Sequence, residues 1–256
     1  MPPALTAGRT AAPDNHPAQR QVTAQTGRHL TTPIQHGQQP PRSRDGSLAR
    51  ATRATPAIRH QGDPVHDLAR RNSAAGGSLD VLEPATGAKL TSVGNATAPD
   101  VRHAAAEARA AQPGWAATPY EKRAAILRKA ARVLEENQEE LIPWIARETG
   151  GIPAKAGFEI HMVTEILYRS AAMCTEPQGL VLPSNPGRIS IARRVPRGVV
   201  GIISPFNFPL ILSTRAVAPA LATGNAVGLI PDPRTAMSGG YIIARLFEEA
   251  GLRKGV

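Results

Sequence analysis

Two short apolar runs bracket one helix, GVVGIIS at 198–204 and AVGLI at 226–230, and no other feature limits the fold of this chain as strongly. Each run is too short for a helix, unbroken by charge and bounded by turn residues, which predicts strands buried on both faces. A helix is predicted between them from about 207 to 222, closed by Gly224. A second is predicted from about Thr235 to Ala250, closed by Gly251, with Ile242, Ile243, Leu246 and Phe247 inward. Strand, helix, strand and helix with short connections specify a parallel pair with a right-handed crossover. That is the beginning of a doubly wound sheet.

The chain ahead of this unit is helical. Two short extended pieces flank the turn signal Pro84-Ala85-Thr86-Gly87. Asp100 is expected to open an Ala-rich helix that Pro113-Gly114 ends. Thr118 as cap, with Pro119 and Glu121 behind it, predicts the next helix, whose stripe is Ile126, Leu127, Ala130, Val133 and Leu134. A further segment ends at Gly150-Gly151, and another from about Lys155 carries Ile160, Val163, Ile166, Leu167 and Ala171 on one face. Cys174 continues that line as a buried small hydrophobe. GLVLP and ISIARRV then form a hairpin-like arm turning at Asn185-Pro186-Gly187. The class is α/β: a partial doubly wound, Rossmann-like parallel sheet with N-terminal helices and a β-arm. The predicted parts are a helical one at 76–176, the arm at 177–195 and the β-α-β-α unit at 196–256.

Residues 1–75 differ in kind. They hold ten Arg, no Lys, four Asp, no Glu and nine Pro, and the first aromatic residue of the chain is Trp115. So few large apolar side chains cannot offset the entropy of ordering a backbone, and this tail is expected to be disordered. It carries +6 of the formal +10 net charge. A nucleic-acid-binding arm and a transit peptide are the sharper readings of that charge. The Arg are spread singly with no interleaved aromatics, which weighs against nucleic acid as a partner. One Cys in 256 residues excludes a disulfide framework and a Cys-built zinc site, and suits a cytoplasmic setting. No apolar run reaches membrane-spanning length.

The chemistry concentrates where the first parallel strand exits, at Ser204-Pro205-Phe206-Asn207-Phe208-Pro209-Leu210. Ligands of doubly wound sheets sit beyond the carboxyl ends of the strands. No glycine fingerprint for phosphate occurs at this turn. Two prolines instead stiffen the backbone around one amide, since each fixes its own torsion and restricts the residue before it. Asn207 could donate its amide hydrogens to an oxygen that gains negative charge; the alternative is a plain helix cap beside an aromatic plug.

RRVPRGVVGIISPFNFPL, APALATGNAV, PDPRTA and LFEEAGLRKGV resemble the N-terminal portion of the NAD(P)-dependent aldehyde dehydrogenase superfamily, near its benzaldehyde dehydrogenase branch. The resemblance covers residues from about 79 to 256. It implies that Asn207 stabilises the oxyanion of a covalent adduct. It also implies that Ile203, Ser204, Pro205 and Phe206 line the cofactor crevice, that NAD or NADP is the cofactor and an aldehyde, aromatic in the benzaldehyde dehydrogenase branch, the substrate, and that the arm serves oligomerisation.

Two departures stand out. The family keeps a Lys before the proline that follows the second strand, where it holds the adenosine ribose; here that position is Ile230, which donates nothing. In the family the pyrophosphate turn, the general-base Glu and the nucleophilic Cys lie beyond the position of Val256, and neither Cys174 nor any of the seven His matches them. The chain is therefore expected to be an N-terminal fragment, inactive alone and binding NAD(P) weakly or not at all. Two unneighboured parallel strands also predict aggregation or loose packing unless another chain covers them. The alternative is a non-catalytic assembly module that pairs with a full-length homologue.

Overall fold

The computed structural model describes residues 74–256. The disorder expected of 1–75 lies outside the described residues except for Ala74 and Ala75, and those two are held. Ala74 bridges to Gly77, and the Ala75 N–H donates to the Asp100 carboxylate at 3.2 Å.

Strands β1 (Ser78–Leu82) and β2 (Lys89–Gly94) pair antiparallel around the predicted turn. Four helices follow: α1 (Ala98–Ala116), α2 (Tyr120–Glu136), α3 (Gln138–Thr149) and α4 (Pro153–Met173). Helix α1 departs from expectation at both ends. Its cap is Thr97, whose N–H and hydroxyl both donate to Asp100, at 2.8 and 2.7 Å, so Asp100 lies inside the first turn. Pro113 does not end it either. Buried Trp115 donates its indole N–H to the Leu221 carbonyl at 3.0 Å, and this tertiary anchor holds one more turn than local propensity allows. Thr118 is likewise no cap. Its hydroxyl donates back to the Gly114 carbonyl at 3.0 Å, and the cap position falls to Pro119, whose carbonyl accepts from the Lys122 and Arg123 N–H groups. Gly150 closes α3 in the left-handed conformation, as its position after the last apolar residue predicts.

The arm is β3 (Gly179–Leu182) paired antiparallel with β4 (Ser190–Arg193). Gly187 has φ 80°, which the tight turn requires, and the Arg188 N–H closes it on Asn185 at 3.1 Å. Leu180, Val181, Ile189 and Ile191 stand exposed along it, Val181 at 77%.

Strands β5 (Val199–Ile203) and β6 (Ala226–Ile230) run parallel in register, Val199 opposite Ala226 through Ile203 opposite Ile230, with α5 (Pro209–Ala222) crossing between them. Asn225 sets that register: its Oδ1 accepts from the Arg197 and Gly198 N–H groups at 2.7 and 3.1 Å, tying the start of β6 to the start of β5. One face packs inward, with Ile202 buried and Val200, Val227 and Leu229 against the core. The other is largely bare. A Cβ added to Gly201 or Gly228 would meet nothing within 4 Å, and Ile203 is 84% exposed. Burial on both faces is thus corrected along part of the second face: Ala226 is buried there, while Gly201, Gly228 and Ile203 stay uncovered. Leu127, Leu134, Ile145 and Leu167 of the helical layer share a single core with Leu210, Leu221, Leu246 and Phe247.

The last helix does not start at Thr235. A 3-10 turn (Pro233–Thr235) and a π-turn (Met237–Tyr241) precede α6 (Ile242–Ala250). Here the backbone passes so close to Pro231 that a Cβ on Gly240 would lie 2.7 Å from its ring. Among the described residues no helix is long and apolar enough to cross a membrane.

Candidate functional site

The sequence between β5 and α5 folds as a short irregular turn, so that 203–208 leave the sheet at its carboxyl end. Ser204 is drawn inward. Its N–H donates to the Ile230 carbonyl at 3.0 Å, extending the ladder one residue. Its hydroxyl lies 2.6 Å from that of Ser213, which lies 2.7 Å from the Gly239 carbonyl. A hydroxyl carries one proton, so Ser204 donates to Ser213 and Ser213 donates to Gly239. That buried chain ties the turn to α5 and to the π-turn; Ser204 thus positions the crevice from behind.

Pro205, Phe206 and Asn207 are exposed. The Asn207 amide makes no hydrogen bond to any described residue, and the helix cap position falls to Phe208, so the plain-cap alternative is not what the turn does. Phe208 meets Phe158 of α4 edge to face, with centroids 6.5 Å apart, and the Lys155 ammonium sits 4.6 Å above the Phe208 ring. Phe158 itself is 52% exposed. Asn207 thus follows Phe206 and precedes Phe208 along an exposed turn, its donors uncommitted to any described residue.

On the cofactor side, Ile203 and Ile230 end adjacent strands as register partners, both exposed. Phe206 lies beneath Arg234, whose guanidinium carbon is 3.8 Å from the ring centroid. Arg234 is bidentate to Asp232, Nε to Oδ1 at 2.8 Å and Nη2 to Oδ2 at 2.7 Å, and these hydrogen bonds hold the Asp232 carboxyl below its ordinary range.

Cys174 is remote from this turn. Its thiol is buried against the Ala222 carbonyl at 3.5 Å, at the far end of α5. A helix of 14 residues is about 20 Å long, and Asn207 precedes its opposite end. Burial pushes the thiol up from its ordinary value, which disfavours the nucleophilic thiolate.

A family model described as "Aldehyde dehydrogenase family" matches residues 71–256. The chain belongs to the aldehyde dehydrogenase family. It is 55% identical over 183 residues to a vanillin dehydrogenase of Amycolatopsis sp., covering 72% of this chain and 38% of that protein. It is 46% identical over 184 residues to a benzaldehyde dehydrogenase [NAD(+)] of Pseudomonas putida, covering 72% and 38%. The crystal structure of an NAD-dependent benzaldehyde dehydrogenase from Corynebacterium glutamicum superimposes with a TM-score of 0.70 at 42% identity, covering 72% of this chain and 40% of that one. The chain thus spans under half the length of these aldehyde dehydrogenases.

Sequence reasoning missed two residues that hold the site in this family member. Glu159 of α4 is fully buried; it accepts from the Leu210 N–H at 3.1 Å and from Lys155 at 2.6 Å, capping α5 directly behind Asn207. Glu148 of α3 is equally buried and accepts from the Met237 and Ser238 N–H groups, both at 2.7 Å, and from the Ser238 hydroxyl. Both are carboxylates at helix starts supplied from another helix, so no local capping pattern signals them.

Proposed function

We propose that this chain forms the front part of an NAD(P)-dependent dehydrogenase that oxidises an aromatic aldehyde to a carboxylic acid in the cytoplasm. The observation that carries the reading is Asn207 itself: an uncommitted amide on a proline-bracketed turn, flanked by Phe206 and by the Phe158–Phe208 pair. Held by Glu159 and Ser204 from behind, Asn207 donates to an aldehyde oxygen as it gains charge, and the two rings receive an aromatic substrate edge to face. The nicotinamide cofactor, when bound, supplies the hydride acceptor. Ile203, Pro205, Phe206 and Ile230 fit its adenosine end, because the two isoleucines present bare aliphatic surface at the carboxyl ends of parallel strands.

The 256 residues offer no nucleophile for the covalent step, since their single Cys is buried about one helix length away. Alone, they are inactive. Purified chain incubated with benzaldehyde and NAD+ or NADP+ is expected to form no reduced cofactor by absorbance. Turnover that Cys174→Ser abolishes would overturn this.

The arm favours a second role, pairing with another copy or with a homologue. Leu180, Val181, Ile189 and Ile191 expose apolar surface on a two-stranded sheet, which is marginal without a partner. Val181→Lys with Ile191→Lys is expected to convert an oligomer to monomer in sedimentation velocity; a monomeric parent chain would remove this role.

A further inference from the structure

A buried hydrogen-bond path leads from α3 to the Asn207 turn. Glu148 places the π-turn by accepting from the Met237 and Ser238 N–H groups, both at 2.7 Å, and from the Ser238 hydroxyl. Gly239 comes next, where the chain after β5 meets the chain after β6. A Cβ on it would stand 3.3 Å from Pro209, 3.5 Å from Pro231 and 3.6 Å from the Ser213 hydroxyl. The Gly239 carbonyl accepts from Ser213 at 2.7 Å, and the Ser213 oxygen accepts from Ser204 at 2.6 Å. Ser213 and Ser238 have no solvent exposure, so bulk water does not replace a partner lost from this path.

What the path controls follows from how little else holds the turn. Among the described residues, Phe206 and Asn207 make no backbone hydrogen bond, and Pro205 has no N–H to offer. The stretch hangs between two anchors. Before it, Ser204 is fixed by its N–H on the Ile230 carbonyl and by its hydroxyl on Ser213. After it, the Leu210 N–H is fixed on Glu159 and the Phe208 carbonyl accepts from Leu212. Ser213 belongs to the second anchor, because it lies on α5 one turn beyond Leu210, yet it grips the first. Its hydroxyl therefore closes the loop 204–213 and fixes the span across which Asn207 is carried. An apolar pair could fill the same space, but only paired hydroxyls fix a direction as well as a distance.

We propose, resting on the reading of Asn207 as the oxyanion donor, that Ser213 is a positioning residue for the oxidation. With Ser204 in front of it and the π-turn held by Glu148 behind it, Ser213 sets where the Asn207 amide stands when the aldehyde oxygen gains charge. A misplacement of about 1 Å in such a donor costs on the order of a hundredfold in rate, so the link acts on the chemical step and not on substrate affinity.

Amide hydrogen exchange on the purified full chain reads the link without any turnover. Ser213→Ala is expected to speed exchange of the Ser204 N–H at least roughly tenfold, and Glu148→Gln to speed the same amide, with the Leu127 amide of α2 unchanged. Steady-state kinetics read the consequence in a hybrid whose remaining length comes from the Amycolatopsis vanillin dehydrogenase. There Ser213→Ala is expected to lower kcat roughly tenfold to a hundredfold with KM little changed. Ser204→Ala is expected to do the same, and the double substitution no more than either alone, because each breaks one shared link. Ser204→Ala carries the test by itself should Ser213→Ala not fold. Unchanged Ser204 exchange, losses that multiply in the double variant, or a loss confined to KM would overturn the proposal. A kcat that falls in Asn207→Ala but not in Ser213→Ala would overturn it while leaving Asn207 as the oxyanion donor. If neither substitution lowers kcat, both readings go together.

Discussion

Glu148→Ala is expected to destabilise the fold by about 3–5 kcal/mol in urea unfolding, the largest single loss we expect from any one side chain. Three donors converge on this carboxylate from the π-turn, two of them backbone N–H groups at its first two residues. Removing it leaves them orphaned in the core and opens a void beside Ser238, which has no solvent exposure. Its titration carries a second signature. Burial is the main cause that lifts the Glu148 carboxyl above the ordinary 4.5, with its hydrogen bonds to Ser238 and Met237 opposing. A folded-state value above the unfolded one means the folded chain binds the proton more tightly. The resulting stabilisation is complete below the unfolded value and is lost as pH rises through the raised one. Glu148→Gln should therefore flatten the fall in unfolding midpoint that the parent shows above about pH 4.5. A parent curve that rises across that window as steeply as the variant's would contradict the direction.

Asn207→Ala is the matching prediction for chemistry. A hybrid in which residues 74–256 replace the corresponding segment of the Amycolatopsis vanillin dehydrogenase supplies the rest of the fold. In that hybrid the substitution is expected to lower kcat about 10²–10³-fold, or roughly 3–4 kcal/mol, with a small change in KM. A loss confined to KM would make Asn207 a ground-state contact. Retained kcat would remove it from the oxyanion role. Because its amide touches no described residue, the loss of activity should come without loss of stability.

The fold was legible where a local pattern and a tertiary need coincide. The parallel strands, the arm turn at Gly187 and the stripe of α2 follow directly from periodicity and turn chemistry, since the same residues satisfy the backbone and fill the core. Boundaries failed where a distant group overrides a local signal. Pro113 should stop a helix, but Trp115 reaches a carbonyl 106 residues away; Thr118 should cap one, but its hydroxyl donates back to the Gly114 carbonyl and the cap position falls to Pro119. At the site, Asn207 stood out because prolines bracket it. The stacking of Arg234 on Phe206 and its pairing with Asp232 were not legible in the pattern, because they depend on how two turns meet. Glu148 and Glu159 were invisible for a physical reason: a buried carboxylate on a polar-looking helical stretch is indistinguishable from a solvated one until its partner helix is placed.

These long-range caps bear on how the molecule forms during synthesis. Trp115, Arg123, Glu148 and Glu159 all emerge from the ribosome well before the groups they bind, at Leu221, Ala222, Met237 and Leu210. The helical layer must wait, holding unfilled acceptors and donors, until some fifty to a hundred further residues have been translated. At ordinary elongation rates that wait lasts seconds, long enough for a chaperone to bind the nascent intermediate. A nascent chain stalled just before Pro209 should accordingly be far more sensitive to protease than one stalled after Ala250.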